Sequence, residues 1–161
     1  DLVDEVGADV VRYFFIMRGM NTHLNFDLDL AADQSEKNPV YYLQYAHARI
    51  CNIIKHGESM EISTDCEFNS TLLNNPTEIK LLKKLEEFQT ITESMLQSLE
   101  PQTIATYLHE TANRFHKFYA ECRVITDDSD LTNARIALAR ATRIILSNGL
   151  GLLGISSPEK M

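Results

Sequence analysis

Turn-forming residues are scarce in this 161-residue chain, which holds six glycines and four prolines. A sheet needs a turn at the end of each strand, so the scarcity points to long helices. Tryptophan is absent, and cysteine occurs only at Cys51, Cys66 and Cys122. An odd number without metal-ligand spacing argues against both a disulfide framework and a zinc site. Reduced thiols in a cytoplasmic protein are the expectation. No apolar run approaches the roughly 18–20 residues of a membrane span, so no membrane contact is expected. No basic leader with a cleavage site marks a signal peptide. The chain opens on Asp1 rather than Met, which reads as a fragment of something longer.

Positive charge is also short. Fifteen Lys and Arg stand against 23 Asp and Glu, a formal net charge of −8. That balance argues against generic nucleic-acid binding. Its distribution is uneven, however. Residues 1–33 carry 7 acids and 2 bases, and residues 58–79 carry 5 acids and no base. Residues 34–57, with 1 acid and 3 bases, and 101–126, with 2 acids and 3 bases, are slightly basic. A local anion-binding face therefore remains compatible with the composition.

Catalytic motifs are missing as well. There is no Gly-rich phosphate loop, HExxH, CxxC or GxSxG. The histidines at 23, 47, 56, 109 and 116 show no ligand spacing with acids. Nothing assembles a nucleophile, a base and an oxyanion hole. The chain alone is expected to catalyse nothing, to bind no metal and to carry no cofactor.

What is present is helical periodicity. Residues 3–19 read as one helix ended by Gly19, and 24–32, alternating apolar and acidic, as an extended connector. A second helix runs from Asn38 to about Lys55, before Gly57. Residues 58–75 read as a loop with one helical turn. A third helix spans about 77–99, capped by Thr77 or Asn75, and a fourth runs from Pro101 to about Val124. A fifth, capped by Asp130, reaches about Ser147. The expected class is all-α, a bundle of four to five helices.

The second helix carries YYLQYAHAR, residues 41–49. At about 100° per residue, Leu43, His47, Ile50 and Ile54 share a buried stripe, with Val40, Ala46 and Ile53 on its shoulders. Tyr41, Tyr45, Arg49 and Asn52 fall on another side, and Tyr42 on the border. His47 reads as a core histidine. Tyr45 and Arg49 are i,i+4 neighbours, so the guanidinium can lie over the ring. Two readings fit: aromatics packed on a neighbouring helix with wet hydroxyls, or a stacking surface beside a phosphate-binding Arg. The fourth helix echoes this with Tyr119 at the edge of an apolar face and His116 and Arg123 nearby. Arg140, Arg143 and Ser147 form a polar side of the fifth helix, able to join a positive surface if the packing allows.

Three segments together resemble one family. VDEVGADVVRYFFIMRG is similar to the stretch after the KMSK loop in class I aminoacyl-tRNA synthetases. NPVYYLQYAHARI resembles the start of the anticodon-binding domain of arginyl-tRNA synthetases. ARIALARATRIILSNGLGLLGISSPEKM resembles the C-terminus of those enzymes. The resemblance covers the whole chain in order. It implies that residues 1–33 end the catalytic unit and that 34–161 form a helical anticodon-binding domain. It implies that Tyr42, Tyr45, Ala46, Arg49, Tyr119, Arg123 and Met161 face the anticodon loop of tRNA-Arg. The partners implied are that loop and an upstream catalytic domain, which would supply ATP, magnesium and the ligase activity. A monomer is expected. With little positive charge, such a domain would grip splayed bases by stacking and hydrogen bonds. The rival reading is a helical protein-interaction module whose tyrosines dock a partner helix.

Overall fold

Asn38 and Pro39 start the longest-range organiser of the chain. The Asn38 side chain accepts from Val40 N at 3.0 Å, which caps the helix that follows. Its Nδ2 donates to Ala31 O at 3.1 Å, so the same buried side chain fastens the preceding segment. In this computed structural model residues 2–18, 26–62 and 68–161 are described. Their helices are α1 Leu2–Val6, α2 Ala8–Ile16, α3 Leu28–Ala32, α4 Pro39–Ser59, α5 Pro76–Glu86, α6 Phe88–Ser98, α7 Gln102–Glu121 and α8 Ser129–Leu152. A 3-10 turn, Ser70–Leu72, precedes α5. No strand occurs among the described residues, and the class is all-α. None of the helices is long and apolar enough to cross a membrane.

Several boundaries differ from the sequence reading, each for a local reason. The expected helix over 3–19 breaks into α1 and α2 at Gly7, whose φ of 87° and ψ of 151° only glycine adopts without strain. Gly19, its expected terminator, lies outside the described residues, as do His23 and Cys66. Residues 28–32 of the expected extended connector are instead α3, because Asp27 accepts from Leu30 N at 2.9 Å and caps a turn; residues 24 and 25 lie outside the described residues. α4 continues through Gly57 to Ser59. Ile136 Cδ1 of α8 lies 3.0 Å from where a Cβ on Gly57 would stand, so that glycine serves close packing and does not end the helix. The expected helix over 77–99 divides at Glu87, whose N–H bonds to Lys84 O, three residues back rather than four. Asn75, one of the two expected caps, forms a full capping box with Glu78. The cap of α8 is Asp128, which accepts from Asp130 N and Leu131 N at 3.0 and 3.1 Å. Asp130 sits in the first turn, where its charge complements the helix dipole. α8 then runs on to Leu152, past the expected Ser147.

The core lies where α4, α7 and α8 pack on one another, with α5 against α7 and α8. Leu43, Ile50, Ile104, Leu108, Phe115, Phe118, Ala139 and Leu146 are fully buried there. Burying an aliphatic or aromatic side chain of this size contributes about 1.5–3 kcal/mol. α6 is peripheral: it buries no residue fully, and its Leu96 is exposed. One buried ion pair crosses the bundle. Arg135 Nε of α8 donates to Glu78 Oε1 at 2.7 Å, and Glu78 Oε2 accepts from Asn75 N at 2.8 Å.

After α8 the chain reverses at Gly154, whose φ is +67°. That backbone conformation favours glycine, and a Cβ there would stand 3.2 Å from Arg12 Cδ, which would have to shift slightly. Residues 155–161 then run back along α4. His47 Nδ1 donates to Pro158 O at 2.9 Å, and Lys55 Nζ pairs with Glu159 at 2.7 Å.

Candidate nucleic-acid interface

The heptad-like spacing on α4 leaves a polar side exposed once Leu43, His47, Ile50 and Ile54 have turned inward. Tyr45 and Arg49 occupy that side. Arg49 Nη2 donates to Tyr45 Oη at 2.6 Å, and its guanidinium carbon lies 4.6 Å from the Tyr45 ring centroid. The same guanidinium lies 5.4 Å from the ring of Tyr119, on α7. Arg49 thus ties together two aromatic rings on different helices. Tyr119 is 41% exposed, so its ring offers a free surface.

Behind this pair stands His116, one turn before Tyr119. Arg49 Nη1 donates to His116 Nδ1 at 3.3 Å. A guanidinium has no acceptor, so Nδ1 is unprotonated and Nε2 carries the hydrogen. That Nε2 is buried without a hydrogen-bond partner. Burial, and next the Arg49 charge, hold the His116 pKa below its ordinary 6.5, while Glu36 opposes them. The ring stays neutral at pH 7 and is an acceptor that orients Arg49. Tyr42 lies deeper in the same stack, 4.8 Å from His109 and 5.1 Å from His116 between centroids. Its hydroxyl pKa is raised, chiefly by burial.

A hollow of about 320 Å³ opens over Tyr45, Arg49, Asn52, His56, Tyr119 and Met161. It shares Ile53, His56 and Tyr119 with a second hollow of about 610 Å³, which extends to Met60 and Arg123. Together they form one groove lined by the Tyr45 and Tyr119 rings, by apolar side chains such as Ile53, and by Arg49, Arg123 and the acidic Glu121. Single-stranded nucleic acid is bound by surfaces of this composition, rings for bases and cations for phosphates.

The structure therefore brings four of the seven residues singled out from sequence, Tyr45, Arg49, Tyr119 and Met161, around one hollow. Arg123 joins them through the second. Tyr42 is a packing partner within the stack and does not line either hollow. Ala46 is corrected: it is fully buried, because it lies on the shoulder of the apolar stripe, and it offers no surface to a ligand. The polar side of α8 does not join the groove. Arg143 acts on Cys51 and Glu159, and Ser147 Oγ bonds to Ser157 Oγ at 3.0 Å, under the returning segment. His56 was missed as a groove residue, although its signal was available. Eleven residues at about 100° each bring it to about 20° from Tyr45. Among the described residues, no group of three His, Cys, Asp or Glu side chains could hold a metal ion.

The described residues thus form an all-helical bundle bearing a groove of aromatic rings and guanidinium groups. Residues 43–161 match the DALR anticodon binding domain, and the chain belongs to that family. It is 49% identical over 164 residues to the arginine–tRNA ligase of Chlorobaculum tepidum and 46% identical over 161 residues to that of Salinibacter ruber. Each match covers 100% of this chain, which spans about 30% of the length of those relatives. A solved structure from Campylobacter jejuni, provisionally named an arginyl-tRNA synthetase, is 29% identical with a TM-score of 0.84. It covers 100% of this chain and 35% of its own.

Proposed function

We propose that this chain is the anticodon-binding part of an arginine–tRNA ligase and positions tRNA-Arg for ATP-dependent aminoacylation by a catalytic domain elsewhere in the protein. Residues 34–161 form the binding domain, and residues 1–33 are the end of the catalytic unit. ATP and magnesium belong to that unit, and the 161 residues alone are inactive. The whole protein works in the cytoplasm as a monomer. The observation that carries the reading is the meeting of Tyr45, Arg49, Tyr119 and Met161 around one hollow in a domain of this family.

In this reading a splayed base stacks on the exposed Tyr119 ring, and Arg49 meets its edge or an adjoining phosphate. Stacking contributes about 1–3 kcal/mol per base. Binding energy gathered at the anticodon is used to orient a distant acceptor end. The competing view, a protein-docking module, draws its support from the exposed Leu96 of α6 and Leu99 just after it. Affinity for tRNA-Arg and for an anticodon-altered form separates the two. Tyr45→Ala is expected to weaken binding of tRNA-Arg by about tenfold while the helical circular dichroism of the chain stays unchanged. Equal affinity of the wild-type protein for both RNAs would overturn the reading.

A further inference from the structure

The groove has one wall that does not belong to the bundle. Met161 is brought to it by the segment 154–161, which α4 and α8 hold at Ser157, Pro158 and Glu159 and which residues from the other end of the chain hold where it starts. Asp9 Oδ2 on α2 accepts from Ser156 N at 3.2 Å, from the Ser156 hydroxyl and from Gln44 Nε2 at 3.0 Å. Gln44 Nε2 also donates to Ser156 O at 3.0 Å. Arg12, one turn beyond Asp9, donates to Gly154 O where the chain reverses. One carboxylate oxygen therefore gathers α2, α4 and the returning segment at a single point, at the α4 residue that immediately precedes Tyr45.

We propose that Asp9 is a positioning residue for the groove: by clamping Ser156 against Gln44 it sets the path of residues 156–161 and so the place of Met161 beside Tyr45 and Arg49. The clamp lies two residues after the Gly7 break. A change in the direction of α2 moves the Ser156 anchor, and through it the Met161 wall. The stretch preceding the binding domain is in this way mechanically joined to the binding surface. The proposal rests on the groove being the tRNA site.

A double-mutant cycle on the full-length ligase tests it, read as Kd for tRNA-Arg and as KM and kcat in aminoacylation. Asp9→Asn is expected to raise Kd and KM about three- to tenfold, the size of one or two hydrogen bonds lost, with kcat unchanged. Met161→Ala is expected to raise Kd as well, and the double variant to be no weaker than Met161→Ala. Ser156→Ala, which removes only the hydroxyl, should give a smaller effect in the same direction. Multiplying effects of Asp9→Asn and Met161→Ala would show that Asp9 does not act through Met161 and would overturn the proposal. So would a fall in kcat with KM unmoved. If neither Tyr45→Ala nor Met161→Ala changes Kd, the groove is not the tRNA site, and the functional reading fails first.

Discussion

His116 shows how much a single residue can decide about the groove. Its Nδ1 must be bare to accept from Arg49, and a proton there would set two cations side by side. Its pKa is lowered on folding, so the unfolded chain binds the proton more readily. Stability is then full above the unfolded value near 6.5 and is lost as pH falls through the lower folded value. An NMR titration is expected to place the His116 midpoint below 6.5, and the thermal midpoint of the wild type to fall more steeply than that of His116→Gln between about pH 7 and about pH 5.5. A midpoint at or above 6.5 would contradict this. Neither the tautomer nor the tilt of Tyr42 against His116 was readable from spacing. Spacing assigned Tyr45, Arg49 and His47 to their sides correctly because helix geometry alone decides that. It placed His116 on a polar side, and only the packing of α7 on α4 turns that side into an interior.

At the scale of elements, the apolar stripes of α4 and α7 were legible because 3.6-residue periodicity is strong over 20 residues. The breaks at Gly7 and Glu87 and the existence of α3 were not, since each depends on one backbone conformation or one cap. The Glu78–Arg135 pair was equally hidden, being 57 residues apart in sequence. Glu78 is fully buried and satisfies both the α5 capping box and the α8 guanidinium. Removing one partner of a buried pair strands the other charge, which costs about 3–5 kcal/mol. Glu78→Ala is expected to lower stability by about that amount in urea denaturation, whereas replacing both residues with apolar ones of similar volume should be far milder. A loss below about 1 kcal/mol for Glu78→Ala would mean that the pair is solvated in solution.

For the whole molecule, the net charge of −8 and the groove make different demands on a polyanion. The acidic surface repels it at long range, and in the proposed mode only two cations of the groove, Arg49 and Arg123, meet it locally. Binding should therefore depend weakly on salt. With about two phosphates neutralised, a plot of log K against log salt should slope at about −1.4, at about 0.7 per phosphate of a single strand. A slope steeper than about −4 would show a basic surface outside the groove. Fold class could be read from local periodicity, whereas the groove residues were named from the family resemblance, periodicity having placed only Tyr45 and Arg49 on a common side. The clamp at Asp9 could not, because it joins residues 147 positions apart. That separation also sets an order of events during synthesis. Loop closure over so long a span is entropically slow, and α4 and α7 have left the ribosome well before Ser156 appears. α4 and α7 can thus pair first, before α8 completes the core and the segment after it adds the last wall of the groove. A chain cut before Ser156 would still carry its helices and its tyrosines, yet would lack both the clamp and the Met161 wall.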